Sequence, residues 1–151
     1  MARFLVRRAY IRDAPRLVAL LHEWLNWDPR QGRIRSVKHA IRDKEFLVAE
    51  IRVQVVGFIH FVIHEDVIDG APNAFVTAFY VQERFRGRGI GAKLLRGAIT
   101  ESAARGAAFM ETSTLHSEAK AFYEKRNFRQ TFGDIGEVFL ELDVDKFLKA
   151  H

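Results

Sequence analysis

The sequence predicts an α/β or α+β fold in which one sheet carries helices on both faces. Apolar segments with strand-like composition alternate with segments whose apolar residues recur every three or four positions. Two of the strands, 53–64 and 74–81, are apolar at both alternating sets of positions, as expected where a sheet is covered on both sides. The chain has 151 residues, of which 48% are hydrophobic, so a single domain over 1–151 is predicted.

A predicted strand at 4–9 opens the chain, and a helix follows it. Asp13 is a candidate N-cap, and Pro15 suits a first helical turn. Apolar residues at spacings of three and four extend this helix to about Trp27. A second, short helix is predicted at 36–42.

Two consecutive strands are predicted at 45–51 and 53–64, because both are dense in valine, isoleucine and phenylalanine. Only the region around Arg52 separates them, so a hairpin is expected. A turn region at 66–73 then leads into the strand at 74–81.

The clearest helix starts near Gly89, where apolar residues take up helical spacing, and Arg105-Gly106 ends it. The sequence then predicts a strand at 107–112, a helix from Ser117 to Asn127, a strand at 138–142 and a frayed tail at 146–151.

Composition excludes several kinds of chemistry. Cysteine is absent, so the chain has no disulfide, thiolate metal site or cysteine nucleophile. His60 and His64 would lie about 13 Å apart along a strand, so they cannot share an ion, and no metal is predicted. The apolar stretch 53–63 is shorter than the roughly 20 residues of a membrane-spanning helix. Residues 1–8 do not resemble a secretory signal, and a cytoplasmic location is predicted.

A glycine-rich segment joins the strand at 74–81 directly to the clearest helix. It reads Arg86-Gly87-Arg88-Gly89-Ile90-Gly91. Glycines let successive N–H groups turn toward an anion, and the helix start and two arginines add positive charge. The alternative is a turn with solvated arginines. The glycine spacing does not fit a dinucleotide fingerprint, and a P-loop needs a Gly-Lys-Ser/Thr ending that is missing.

This segment resembles the Arg/Gln-x-x-Gly-x-Gly/Ala signature of the GNAT acyltransferases. A second stretch, from Ala119 to Phe128, is similar to the late Ala-x-x-Phe-Tyr-Glu-Lys-x-Gly-Phe motif of that family, with Asn127 in place of the glycine. The resemblance covers most of the chain. It implies the GNAT fold, a single mixed and mostly antiparallel sheet of six to seven strands with helices on both faces.

The resemblance also implies acetyl-CoA as cosubstrate. Backbone groups around Phe79, Tyr80 and Val81 would hold the pantetheine arm, and His116 stands where many relatives place a cofactor-contacting asparagine. The N–H groups of the loop and helix start would hold the pyrophosphate, which assigns Arg86, Gly87, Arg88, Gly89, Ile90, Gly91 and Ala92 to cofactor binding.

By the same resemblance, Tyr123 is the general acid; the alternative is a core aromatic residue beside Phe122. The family's usual glutamate base is replaced near Asn73, so Glu65 is the candidate base, with the alternative that it is a solvated turn residue. His64 and Asp66 are further candidates for the base.

The acceptor site of the family points to Trp24, Trp27 and Asp28 and to residues 131–134, although the tryptophans could simply fix the first helix to the core. The expected function is therefore N-acetyl transfer from acetyl-CoA to a primary amine of a small molecule or protein. The alternative is a non-catalytic CoA sensor with the same fold. The net charge of +5 alone does not indicate a nucleic-acid partner, no membrane partner is expected, and a homodimer is one arrangement that relatives suggest.

Overall fold

The computed structural model describes residues 3–25, 33–133 and 136–151, so the predicted acceptor residues Trp27 and Asp28 lie outside the described residues. Within these segments the chain forms seven strands and five helices, together with 3-10 turns at Ile11–Asp13 and Glu83–Phe85. The strands are β1 (Leu5–Arg8), β2 (Phe46–Ile51), β3 (Gln54–Asp66), β4 (Ala71–Val81), β5 (Phe109–Thr114), β6 (Arg129–Phe132) and β7 (Val138–Asp143). The helices are α1 (Ala14–Leu25), α2 (Arg33–Arg42), α3 (Ile90–Ala104), α4 (Ser117–Glu124) and α5 (Val144–Ala150).

All seven strands belong to one sheet with the order β1-β2-β3-β4-β5-β7-β6. The pairs β1/β2, β2/β3, β5/β7 and β6/β7 are antiparallel, whereas β4 and β5 are parallel. A parallel pair needs a long crossover, which here contains α3. The predicted mixed, mostly antiparallel sheet of six to seven strands is confirmed.

The chain divides into two compact units. The first contains Met1–His60 and Ala78–Ala98, and the second contains Phe61–Thr77 and Ile99–His151. Strands β3 and β4 are each divided between the two units, β3 after His60 and β4 after Thr77. That residues 1–151 fold together as one domain stays a prediction.

In the first unit, β2 carries helices on both of its faces. Phe46 and Val48 belong to a buried cluster with residues of α1 and α2. Leu47 points the other way, and it would lie 2.9 Å from a Cβ placed on Gly97 of α3. Helices on both faces of the sheet, as predicted, follow from this alternation.

The second unit is organised around buried positions of β5 and β7. Met110, Thr112, Leu140 and Leu142 are almost completely buried, and Met110 pairs with Leu142 across the two strands. On each strand these positions alternate with residues that are partly or fully exposed. One face of this pair therefore supplies the core.

A tight hairpin joins β2 to β3, as predicted. Arg52 and Val53 both have positive φ angles, 48° and 59°. Positive φ at both central residues is typical of a type I′ turn, whose backbone twist matches the right-handed twist of the two strands. Further along the pair, Ala49 is opposite Gly57 and Glu50 is opposite Val55, which leaves Val56 as the extra residue of a β-bulge.

Three predictions about elements need correction. Asp13 does not cap α1: its carboxylate accepts from the N–H of Tyr10 behind it, at 2.6 Å. Strand β6 was not predicted, because all four of its residues are exposed and carry no alternation. The supposed tail forms α5, whose N-cap is the side chain of Asp143, which accepts from the N–H of Lys146 at 2.9 Å.

Candidate functional site

The glycine-rich segment begins where β4 ends. The N–H of Gln82 donates to the carbonyl of Val56, the bulge residue, at 2.9 Å. The next hydrogen bonds are local, from Phe85 N–H to the Gln82 carbonyl and from Arg86 N–H to the Glu83 carbonyl. The chain therefore leaves the sheet through the 3-10 turn at Glu83–Phe85, and the motif begins directly after it at Arg86.

Gly87 and Gly89 adopt backbone conformations that other residues rarely take. Their φ angles are +78° and +83°, and a Cβ on either would meet no atom within 4 Å. The requirement for glycine is thus conformational rather than steric. Local geometry explains why the sequence carries glycine at these two positions.

Helix α3 starts immediately after Gly89. Its first helical hydrogen bond runs from Lys93 N–H to the Gly89 carbonyl, at 3.1 Å. The N–H groups of Ile90, Gly91 and Ala92 precede that bond, so the helix supplies them with no acceptor. Together with the positive end of the helix dipole, they form an arrangement suited to a phosphate group.

The arginine side chains of the motif lie against neighbouring groups. Arg86 donates from Nε to the Val81 carbonyl at 2.8 Å, and its guanidinium lies 5.5 Å from the Tyr80 ring centre. Arg88 lies 5.4 Å from the ring centre of Phe85. In this conformation the loop offers an anion its backbone N–H groups, while Arg86 ties the loop to the end of β4.

Tyr80 connects β4 to helix α1. Its hydroxyl donates to Oε2 of Glu23 at 2.9 Å. Burial and the hydrogen bond to Glu23 raise the pKa of Tyr80. The side-chain amide of Gln82 also donates to Glu23, at 3.2 Å to each carboxylate oxygen. Sequence reasoning gave Glu23 no role, because nothing in the spacing indicates a contact across 57 residues.

Of the three predicted acceptor residues near the first helix, Trp24 is described. It is 38% exposed, and its ring meets Phe58 edge-on with 6.4 Å between centroids. Trp24 therefore both packs on the core and presents a surface to solvent. Its role in acceptor binding stays a prediction.

Tyr123, the predicted general acid, is 6% exposed on α4 in the second unit. Its ring packs near Phe122 and Phe128, with centroids 5.6 and 5.1 Å away. Burial raises the pKa of Tyr123 to about 12, against a hydrogen bond with Thr112 that acts to lower it. The Thr112 hydroxyl also donates to the Val76 carbonyl at 3.2 Å. The phenol is neutral at physiological pH.

His116, a further predicted site residue of this unit, is the N-cap residue of α4. Its backbone N–H donates to the Thr114 hydroxyl at 3.1 Å, and its side chain is exposed and does not cap the helix. A role in cofactor binding stays a prediction.

The candidate bases lie at the end of β3. Glu65 and His64 are exposed. Asp66 accepts from two backbone N–H groups of the following turn and from the amide of Asn73, and these bonds lower its pKa. A carboxylate held in this way is a weak base. Asn73 also accepts from Phe109 N–H and is fully buried, so it fixes the β3–β4 turn to β5.

A pair of carboxylates was missed by sequence reasoning. Glu111 on β5 lies directly opposite Glu141 on β7. Burial and the charge of Glu111 raise the pKa of Glu141. Only the register of the two strands brings these residues together, and the sequence carries no signal for it.

Within the described residues, no group of three or more potential ligands could hold a metal ion. His60 instead contacts Glu45, with 2.8 Å between Nε2 and Oε2. None of the helices in the described segments is long and apolar enough to cross a membrane.

Comparison with known proteins gives a consistent result. The profile of the Acetyltransferase (GNAT) family matches residues 11–128. No protein of curated function matches the sequence at a significant level. Among solved structures, an N-acetyltransferase from Staphylococcus aureus Mu50 superposes with a TM-score of 0.77 at 21% identity, over 95% of this chain and 99% of that one.

Two further structures carry the cofactor in their crystals. A putative acetyltransferase from Salmonella typhimurium, determined with acetyl-CoA, has a TM-score of 0.77 at 19% identity and covers 95% of each chain. The PaiA N-acetyltransferase from Thermoplasma acidophilum, in complex with coenzyme A, has a TM-score of 0.71 at 19% identity, over 93% of this chain and 99% of that one. At these identities the likeness establishes the fold.

Proposed function

The chain belongs to the Acetyltransferase (GNAT) family, and from this premise we propose that it is an acetyl-CoA-dependent N-acetyltransferase. It transfers the acetyl group to a primary amine of a small molecule or protein, by direct attack in a ternary complex. Acyl transfer is the activity of the family. That the acceptor is an amine is our proposal.

The observation that carries the proposal is the geometry between β4 and α3. The loop places Gly87 and Gly89 at positive φ and ends at helix N–H groups without intrahelical acceptors. This arrangement fits the pyrophosphate of CoA, because backbone N–H groups and a helix dipole bind phosphate with little dependence on side-chain identity. The edge of β4 at Phe79, Tyr80 and Val81 would hold the pantetheine arm.

Acetyl-CoA supplies an activated acetyl thioester. The reaction forms a C–N bond, breaks the C–S bond, removes one proton from the amine and returns one proton to the thiolate. Tyr123 suits the last step, because a phenol with a pKa of about 12 keeps its proton at neutral pH and can share it with a developing anion. Glu65 is the proposed base, acting on the amine through solvent, because its carboxylate is exposed.

The test is a calorimetric titration of the protein with acetyl-CoA, followed in the same preparation by an assay of free CoA thiol. The acceptor panel contains polyamines, amino acids and peptides with free amino groups. Binding at micromolar concentration together with amine-dependent thiol release supports the proposal. If acetyl-CoA does not bind, the assignment of the loop is wrong.

A CoA sensor without turnover is the second candidate function. One observation favours it: Asn73, near the position of the family's glutamate base, is engaged in fixing the β3–β4 turn. A sensor would bind CoA and acetyl-CoA yet release no thiol with any acceptor of the panel. An enzyme would release thiol in proportion to acetylated amine, measured by mass spectrometry.

Trp24 is the described part of the proposed acceptor site, with an exposed aromatic surface that suits a cationic amine. The other two proposed members are Trp27 and Asp28. Cytoplasmic location and a homodimer remain predictions, the latter testable by sedimentation with and without CoA.

A further inference from the structure

A chain of hydrogen bonds links helix α1 to the start of the glycine-rich loop in the first unit. Arg16 donates from Nε to the Val55 carbonyl at 2.9 Å and from Nη2 to the side-chain oxygen of Gln82 at 3.2 Å. The amide nitrogen of Gln82 then donates to Glu23. The two helix residues, 16 and 23, thus hold both ends of one amide group.

The bulge in β3 explains why this contact is available. Val55 and Val56 face the single residue Glu50 at a break in the ladder. A bulge disrupts regular pairing and leaves a residue outside the ladder. The Val55 carbonyl accepts from Arg16, and the Val56 carbonyl accepts from the backbone of Gln82. Gln82 is therefore fixed by its backbone and by its side chain.

Glu23 also reaches the loop by a second route. It accepts from the hydroxyl of Tyr80, whose ring lies under the guanidinium of Arg86. Arg86 donates to the Val81 carbonyl, on the residue following Tyr80. Thus one carboxylate on α1 restrains both the last residues of β4 and the first residue of the motif.

Glu23 has no cationic partner among the described residues, and it accepts only from a phenol and an amide. Such bonds orient the carboxylate and its donors without neutralising it. A carboxylate whose purpose was only to anchor α1 would gain more from an ion pair with a nearby arginine. Its bonds instead end on the two residues that flank Val81.

We propose that Glu23 is a positioning residue for the cofactor loop, which acts through Tyr80 and Gln82 to hold the end of β4 and Arg86 in the conformation that binds CoA. The inference rests on the proposed function, since it assumes that this loop binds CoA. It adds a role that neither the motif nor the family match assigns to α1.

The proposal predicts a change in CoA affinity opposite to the one expected from the charge of Glu23 alone. Removing a negative charge near an anionic ligand should strengthen binding by Coulomb's law. If Glu23 positions the loop, Glu23→Gln should instead weaken CoA binding by about five- to tenfold, because glutamine keeps one acceptor oxygen but loses the second one and the charge that strengthens these bonds. The matched control is Glu83→Gln, which removes the same charge from an exposed residue of the adjoining 3-10 turn whose side chain has no hydrogen bond among the described residues.

The experiment measures the dissociation constant of CoA by calorimetry for the full-length protein and the two variants, at a temperature well below their unfolding midpoints. Weaker binding by Glu23→Gln together with unchanged or tighter binding by Glu83→Gln supports positioning. Affinity of Glu23→Gln equal to or above that of the wild type overturns it, even if its unfolding midpoint falls, because a merely structural role lowers stability alone.

Tyr80→Phe provides a second variant that removes one hydroxyl and leaves the backbone intact. It should also weaken CoA binding. Because both substitutions disrupt the same contact, the loss of binding free energy in the double variant with Glu23→Gln should be smaller than the sum of the two single losses. Full additivity, or no effect of Tyr80→Phe, overturns the route through Tyr80. If the wild type itself does not bind CoA, the proposed function is wrong. If the wild type binds CoA and the Glu23 variant binds equally well, only the role of Glu23 is wrong.

Discussion

Arg7 and Asp13 form a two-pronged ion pair, with distances of 2.8 Å from Nη1 to Oδ2 and 3.1 Å from Nη2 to Oδ1. Asp13 is 7% exposed, and Arg7 also donates from Nε to Glu50 at 2.7 Å. The pair joins β1 to the turn before α1. A residue that the sequence suggested as a helix cap therefore belongs to a largely buried charge network centred on Arg7.

Asp13→Asn should destabilise the protein by about 2–3 kcal/mol, because it leaves the partly buried Arg7 guanidinium with one carboxylate fewer. Burial raises the pKa of Asp13, but the hydrogen bonds from Arg7 and from Tyr10 N–H outweigh it, and the net shift is downward. The stabilisation is thus present above the ordinary aspartate pKa and is lost as pH falls through the lower folded value.

The measurement is urea unfolding of wild type and variant between pH 2 and 7. The control is Asp145→Asn, which breaks an ion pair with Lys149 whose side chains are about three-quarters exposed, and which should have a much smaller effect on stability because solvent screens the two charges. Equal effects of the two substitutions would show that the Arg7 pair contributes no more than a surface pair.

Gly89→Val should abolish measurable CoA binding while leaving the protein folded. At φ +83° a β-branched residue is strained, and the loop would relax to another conformation that no longer aims its N–H groups at one point. The control is Gly70→Val, which has φ +69° and equally open surroundings but lies in the β3–β4 turn. Calorimetry should show normal CoA affinity for Gly70→Val, and retained affinity in Gly89→Val would refute the cradle.

Tyr123→Phe should lower turnover by about a hundredfold or more with little change in CoA affinity, because general acids typically contribute that much. Loss of the bond to Thr112 should also cost about 1 kcal/mol of stability. Since the pKa of Tyr123 is about 12, its ionisation should not appear as an alkaline limb of the rate profile below pH 10. Tyr10→Phe, at an exposed tyrosine, is the control; unchanged turnover in Tyr123→Phe would remove the phenol from the mechanism.

Glu141→Gln should raise the unfolding midpoint at neutral pH. Burial and the opposing charge of Glu111 raise the pKa of Glu141, so its ionised form is less favourable in the folded protein than in the unfolded chain. Relative to the variant, the wild type should lose stability as pH rises from below the ordinary glutamate value through the higher folded value. Thermal unfolding at pH 4 and pH 7 measures this difference. Glu65→Gln, at an exposed carboxylate, is the control variant.

Elements whose signals are local could be predicted from the amino-acid sequence. Helical spacing after Gly89 gave α3, and dense β-branched residues around Arg52 gave the β2–β3 hairpin, because each depends only on neighbours along the chain. The glycine-rich loop could be predicted for the same reason, because glycine is the residue that most readily adopts the positive φ angles found at Gly87 and Gly89. Strand β6, exposed throughout, offered no such signal.

Contacts between side chains that are far apart in the sequence depend on how the chain packs. Glu23 contacts Tyr80 across 57 positions, and Glu141 faces Glu111 because of strand register. A shift of one residue in that register would turn every side chain of the strand to the other face, so no local pattern can specify such a pair. The sequence could therefore identify the residues of the loop, whereas the contacts that hold the loop in place, and the burial that sets the pKa of Tyr123 and Glu141, arise from packing.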